Sequence, residues 1–162
     1  MQTGMTEGPT FCNFEGYGSV FNVIDNANDL ILPGAYKLSL IHNPRPRFLL
    51  HHNVYPTIGE IEEIYEDNHG LFIKGTVLTK YIIPRGLYHI FFGDGLRDGL
   101  SIGFRTLKSE LREDGVRILQ EIDLHEISVV DIPMNLQARL KITTANKLGI
   151  IAEALTSLCV RT

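Results

Sequence analysis

The chain contains no tryptophan and only two cysteines, Cys12 and Cys159, among its 162 residues. Each scarcity excludes something. A sugar-binding cleft is usually lined by aromatics such as Trp, so the acidic ladder Glu60, Glu62 and Glu63 reads as the solvated face of a strand rather than as the paired carboxylates of a glycosidase. The cysteines stand near opposite ends and form no Cys-x-x-Cys pair, which argues against a zinc knuckle and a disulfide framework and fits a reducing, cytoplasmic compartment. Positive charge is not in excess. Fifteen Lys and Arg face nineteen Asp and Glu, for a net charge of −4. Lys80, Arg85, Arg97 and Arg105 are scattered, so no nucleic-acid face is expected. No apolar run approaches the roughly 20 residues needed to cross a bilayer, and Met1-Gln2-Thr3-Gly4 does not open a signal peptide, so no membrane partner is expected either. Neither a His-Glu-x-x-His motif nor a complete phosphate-binding loop is found, Gly93-Asp94-Gly95 being too short a match for the latter. No metal or organic cofactor is expected.

What the chain does have is strand-like alternation over most of its length. With 44% hydrophobic residues it can bury a core of its own, and residues 1–162 read as a single domain. Strands are expected over residues 11–21, 48–50, 58–66, 71–78, 100–107, 116–130 and 136–143. A hairpin turn is expected at Arg112-Glu113-Asp114-Gly115 and a loop at Asp25-Asn26-Ala27-Asn28-Asp29. Helical patterns appear at residues 32–40 after Pro33, at 79–97 and at 147–158. The expected fold is α+β, a mostly antiparallel, β-barrel-like core with a few surrounding helices.

Three stretches carry the residue types of acyl-transfer chemistry. Gly99-Leu100-Ser101-Ile102-Gly103-Phe104-Arg105 pins one serine in a short apolar strand between glycines. Leu49-Leu50-His51-His52-Asn53 brings histidine to the end of a second strand, and Leu124-His125-Glu126-Ile127-Ser128-Val129-Val130 holds a carboxylate within a third. A serine hydroxyl is a weak nucleophile until a base takes its proton, and a carboxylate beside the base fixes its tautomer. The chain order His, Ser, acid differs from that of α/β-hydrolases, chymotrypsin and subtilisin. Alternation puts Ser101, Gly103 and Arg105 on one face. If Leu100, Ile102 and Phe104 face the core, Ser101 points outward, with a position free of side chain beside it for a substrate. Successive strand residues point to opposite faces, so at most one of His51 and His52 serves as base. The same rule puts Leu124, Glu126 and Ser128 opposite His125, Ile127 and Val129. The plainer readings are a serine and a glutamate on solvated strand faces and histidines at a strand end.

The ordered set of motifs from residue 11 to 143 resembles the prohead, or capsid maturation, proteases of tailed bacteriophages. The set comprises Gly16-Tyr17-Gly18-Ser19-Val20-Phe21-Asn22, Leu32-Pro33-Gly34-Ala35-Tyr36, Leu49-Leu50-His51-His52-Asn53 with Pro56-Thr57-Ile58-Gly59, Glu66-Asp67, Gly70-Leu71-Phe72-Ile73-Lys74-Gly75, Gly99-Leu100-Ser101-Ile102-Gly103-Phe104 and Glu126-Ile127-Ser128-Val129-Val130-Asp131-Ile132-Pro133-Met134-Asn135. The resemblance implies a fold related to the herpesvirus assemblins. It also implies a catalytic triad of His52, Ser101 and Glu126, with His125 in reserve because assemblins use a second histidine. Two departures are visible. Thr57 interrupts the family's Pro-Ile-Gly, and Pro133-Met134-Asn135 stands where the family has Pro-Ala-Asn. The implied function is a serine endopeptidase inside a viral procapsid assembled in the host cytoplasm. Its implied substrates are the scaffold, the major capsid protein and its own chain. Self-association through residues 147–158 is a further expectation. The runner-up readings are a protease-fold protein with a structural role in capsid assembly and a non-viral serine esterase.

Overall fold

The computed structural model describes residues 11–54, 56–78 and 98–145. The expected helices at 79–97 and 147–158 lie outside the described residues. Among the described residues, eight strands and one helix follow one another in the order β1 (Phe11–Val20), β2 (Asp29–Ile31), α1 (Lys37–His42), β3 (Arg47–Leu50), β4 (Gly59–Glu66), β5 (Gly70–Leu78), β6 (Gly99–Leu111), β7 (Arg117–Val130) and β8 (Leu140–Ala145).

Local sequence accounts for the hairpins. In β5, alternation buries Leu71, Ile73 and Val77. Its partner β4 carries two adjacent glutamates, which strict alternation cannot accommodate. The register solves this by skipping Glu62: Ile61 faces Gly75, Glu63 faces Lys74 and Ile64 faces Ile73. A bulge thereby returns both isoleucines to the core face. Between β6 and β7 the chain reverses at Gly115, whose φ of 85° is a conformation that residues with a Cβ rarely adopt. The core joins residues from most of the strands, with Phe14 of β1 and Phe48 of β3 stacked at 4.5 Å.

The sheet runs β2-β7-β3-β4-β5-β1-β8, with β6 on the other edge of β7. It is mostly antiparallel, as expected, but mixed, because β2 and β3 both pair with β7 in parallel. The short strand β2 was not expected, and its first residue, Asp29, closes the expected loop. The reason for the parallel pairs is the length of β7. At 14 residues it offers one long edge, which β2 takes at residues 117–119 and β3 at 126–129. The chain crosses from β2 to β3 through α1, so the two strands run in the same direction. Between them α1 and its approach satisfy the edge of β7. Ile122 N–H donates to Ala35 O, Leu124 N–H donates to Ser39 Oγ at 2.7 Å, and Asn43 Nδ2 donates to Leu124 O at 3.1 Å. The helix, expected directly after Pro33, begins at Lys37, after a turn at 33–36.

The barrel expectation is corrected in the same way. Among the described residues, the far ends of the sheet meet only at one bridge, between Gly99 and Arg139, where Leu100 N–H donates to Ala138 O and Leu140 N–H to Asp98 O. An ion pair between Arg139 and Asp98 at 2.8 Å reinforces it. Among the described residues, no helix is long and apolar enough to cross a membrane.

Candidate active site

β7 is the spine of the site, with β6 on one side and β3 on the other. The antiparallel register sets Ser101 opposite Ser128 and Gly103 opposite Glu126. The parallel register sets Leu49 beside Ser128 and Arg47 beside Glu126. Directly paired residues project from the same face of a sheet. Ser101, Ser128 and Glu126 therefore share one face, while Leu100, Ile127 and Val129 are buried on the other.

A bulge sets this parity. Gly103 pairs with Glu126 and Phe104 with Leu124, leaving His125 as an extra residue in β7. Leu124 is consequently in the core with Ile127, and Glu126 is not on its face. Simple alternation had grouped Leu124 with Glu126, and the inserted residue is why that grouping fails. His125 is turned to the surface, where its Nε2 meets Asp123 Oδ2 at 3.2 Å, away from the other site residues.

The histidines are placed by backbone geometry rather than by strand alternation. β3 ends at Leu50, and His51 and His52 occupy the centre of a turn closed by Asn53 N–H donating to Leu50 O. Both have positive φ, 50° and 59°, the signature of a type I′ turn, whose central positions favour Gly, Asn and Asp. Two successive residues bearing large side chains hold this strained conformation only because their surroundings impose it. His51 N–H donates to Val129 O at 2.9 Å, His52 N–H donates to Ser128 Oγ at 3.1 Å, and the Arg47 guanidinium donates to Val54 O. The turn carries the His52 ring onto Glu126, with Nδ1 to Oε1 at 2.6 Å. The His51 side chain stays exposed.

Of the three residues expected to form a triad, two are thus in direct contact and the third lies on the neighbouring strand. The Ser101 hydroxyl and the His52 ring are not hydrogen-bonded to one another. Such contacts are often long before substrate binds. Ser101 is 7% exposed, less open than alternation had suggested. The side-chain-free space at Gly103 is not left for a substrate. A Cβ there would overlap Oε1, Cδ and Cγ of Glu126, so the glycine makes room for the carboxylate. A carboxylate at Nδ1 favours the neutral tautomer that carries its proton there, which leaves the Nε2 lone pair free. A histidine so held can accept a proton from a hydroxyl.

Comparison with known proteins assigns the chain. A model of the family described as caudovirus prohead serine protease matches residues 2–149. The chain belongs to that family. The prohead protease of Enterobacteria phage HK97 is 34% identical over 134 residues, covering 77% of this chain and 57% of the phage protein. The chain thus matches little more than half the length of that family member. The fold is shared with herpesvirus proteases. The Kaposi's sarcoma-associated herpesvirus protease superposes with a TM-score of 0.58 at 11% identity, over 93% of this chain and 77% of that one. The varicella-zoster virus protease gives 0.53 at 14% identity, over 91% and 76%.

Sequence reasoning missed the placement of two residues around Glu126. Gly103 was assigned to substrate rather than to Glu126, and Ser128 appeared only as part of a motif. The signal for Ser128 was its spacing of two from Glu126, which puts both on one face of a strand.

Proposed function

We propose that this family member is a serine endopeptidase that cleaves scaffold and major capsid proteins, and its own chain, within an assembling viral procapsid. Ser101 is the nucleophile, His52 the general base and Glu126 the residue that orients it. The observation that carries the reading is the 2.6 Å contact of Glu126 Oε1 with His52 Nδ1, on the sheet face that also bears Ser101. Family membership and the name of the HK97 relative support the biological setting.

In the proposed reaction Ser101 Oγ attacks the scissile carbonyl while His52 Nε2 takes its proton. The imidazolium is stabilised by Glu126 and returns the proton to the leaving amine. Water then hydrolyses the acyl-enzyme by the same route in reverse. The oxyanion is held by backbone N–H groups. Residues 131–135 are the candidate source, since the loop follows β7 and Pro133 lies against Gly99, two residues before Ser101. Slow turnover suffices for such an enzyme, because confinement in a shell raises the local concentration of substrate.

Intact-mass spectrometry of the chain co-expressed with the capsid and scaffold proteins of its own virus tests the proposal. Defined fragments are expected with the native chain and none with Ser101→Ala. Uncleaved partners in both, with normal particles, would instead establish a structural role.

A further inference from the structure

Ser128 sits at the centre of the site yet has no place in a three-residue mechanism. It is fully buried, with 0% exposure. Its hydroxyl donates to Glu126 Oε2 at 2.6 Å and accepts from the backbone N–H of His52 at 3.1 Å. The other carboxylate oxygen, Oε1, meets His52 Nδ1. These contacts close a ring: His52 N–H to Ser128 Oγ, Ser128 O–H to Glu126, and Glu126 back to the ring of His52. We propose that Ser128 is a positioning residue, whose single hydroxyl holds the backbone of the base and the carboxylate that orients it in one fixed relation. The inference rests on the triad reading given above.

The physical case has two parts. His52 is held at a φ of 59°, and its N–H faces a side chain rather than a ladder carbonyl. Without the Ser128 oxygen, one of the bonds that impose this strained turn is gone. Glu126 ends a flexible side chain, and a carboxylate held by one oxygen alone swings about that contact. The second bond from Ser128 removes that freedom. The same donation distinguishes the two facing serines. The Ser128 proton is committed to Glu126, so Ser128 is not the hydroxyl that His52 deprotonates, although it lies directly across from Ser101.

The experiment uses the full chain and an ethoxy fluorophosphonate probe. An activated serine oxygen forms a bond to phosphorus, fluoride leaves, and the serine proton passes to the base and on to solvent. The labelled residue is mapped by mass spectrometry, and the maximal labelling rate is separated from the probe concentration giving half that rate. The native chain is expected to label at Ser101. Ser128→Ala is expected to label there about 10–100-fold more slowly at saturation, as loss of an orienting hydrogen bond does elsewhere, with half-saturation unchanged within about twofold. Ser128→Thr and Ser128→Val have the same shape and differ only in the hydroxyl. Thr is expected to keep most of the rate, and Val to fall as far as Ala. Far-ultraviolet circular dichroism and melting temperature of each variant report folding separately.

Unchanged labelling in Ser128→Ala would overturn the positioning role while leaving the triad standing. Equal losses in Thr and Val would also overturn it, by assigning Ser128 to packing. Absence of label at Ser101 in the native chain would remove the triad reading itself. Label on Ser128 would overturn both.

Discussion

At the scale of single residues, the site depends as much on absent atoms as on reactive ones. Gly103 lies opposite Glu126 and leaves the space that its carboxylate fills. Replacing it with alanine adds one methyl group, and that group overlaps the carboxylate. Since Glu126 is held by both His52 and Ser128, it cannot yield without breaking a bond that orients the proposed base. Gly103→Ala is expected to slow fluorophosphonate labelling of Ser101 by about tenfold or more, comparable to loss of an orienting contact. The melting temperature should change little, because the position is at the sheet surface rather than in the core. A Gly103→Ala chain that labels at the native rate would show that the carboxylate is not needed where it stands. The pairing itself is only half-covered from solvent, with His52 and Glu126 side chains 47% and 13% exposed, which leaves the ring reachable by substrate.

At the scale of elements, the decisive feature is one extra residue in β7. The bulge at His125 bends the strand where Glu126 leaves it, and bulges of this kind re-aim side chains next to active sites. Without His125 the sequence Ile122, Leu124, Ile127, Val129 would alternate strictly, so both faces of the hairpin would be preserved. Deleting His125 is therefore expected to leave the chain folded, with a melting temperature within about 4 °C of native, a change of roughly 1 kcal/mol. Ser101 labelling should nonetheless fall at least about tenfold, because Glu126 loses the local twist that brings it to His52. Equal labelling rates in the two chains would remove the bulge from the account of the site. The hairpin itself was legible in advance from its apolar runs and from Arg112-Glu113-Asp114-Gly115. The bulge was not, because an inserted residue in a strand has no composition of its own.

At the scale of the whole molecule, the long edge of β7 organises the chain. β2 and β3 dock on it in parallel, and α1 satisfies the stretch between them. Where β2 docks, Arg117 forms a two-pronged pair with Asp29, with Nε to Oδ1 at 2.7 Å and Nη2 to Oδ2 at 2.6 Å. Asp25 caps the same corner, accepting from the N–H groups of Ala27 and Asp29. Burial pushes the Asp25 carboxyl above its ordinary value, only partly opposed by those two hydrogen bonds. The folded state therefore holds this proton more tightly than the unfolded chain. Its ionisation lowers stability as pH rises from the ordinary carboxyl range through the raised folded value, and has no effect below both. Asp25→Asn keeps the accepting oxygen and removes the charge. It is expected to raise the melting temperature at pH 7 by no more than about 4 °C, with the gain disappearing near pH 3. A gain that persists at low pH would exclude the charge as its cause.

The amino-acid sequence by itself determined most of the strands, the tight turn at Gly115 and the family, and it nominated the three residues of the proposed triad, because these follow from local pattern and from motifs of fixed order. Tertiary structure decided the rest. Parallel docking of β2 and β3 depends on hydrogen bonds between residues far apart in the chain, which no local pattern encodes. The positive φ values of His51 and His52 run against the preference of a side-chain-bearing residue and exist because β7 supplies the bonds that hold them. The role of Ser128 is of the same kind. Its neighbour Glu126 is two residues away in sequence, but His52 is 76 residues distant, and only the folded sheet lets one hydroxyl reach both.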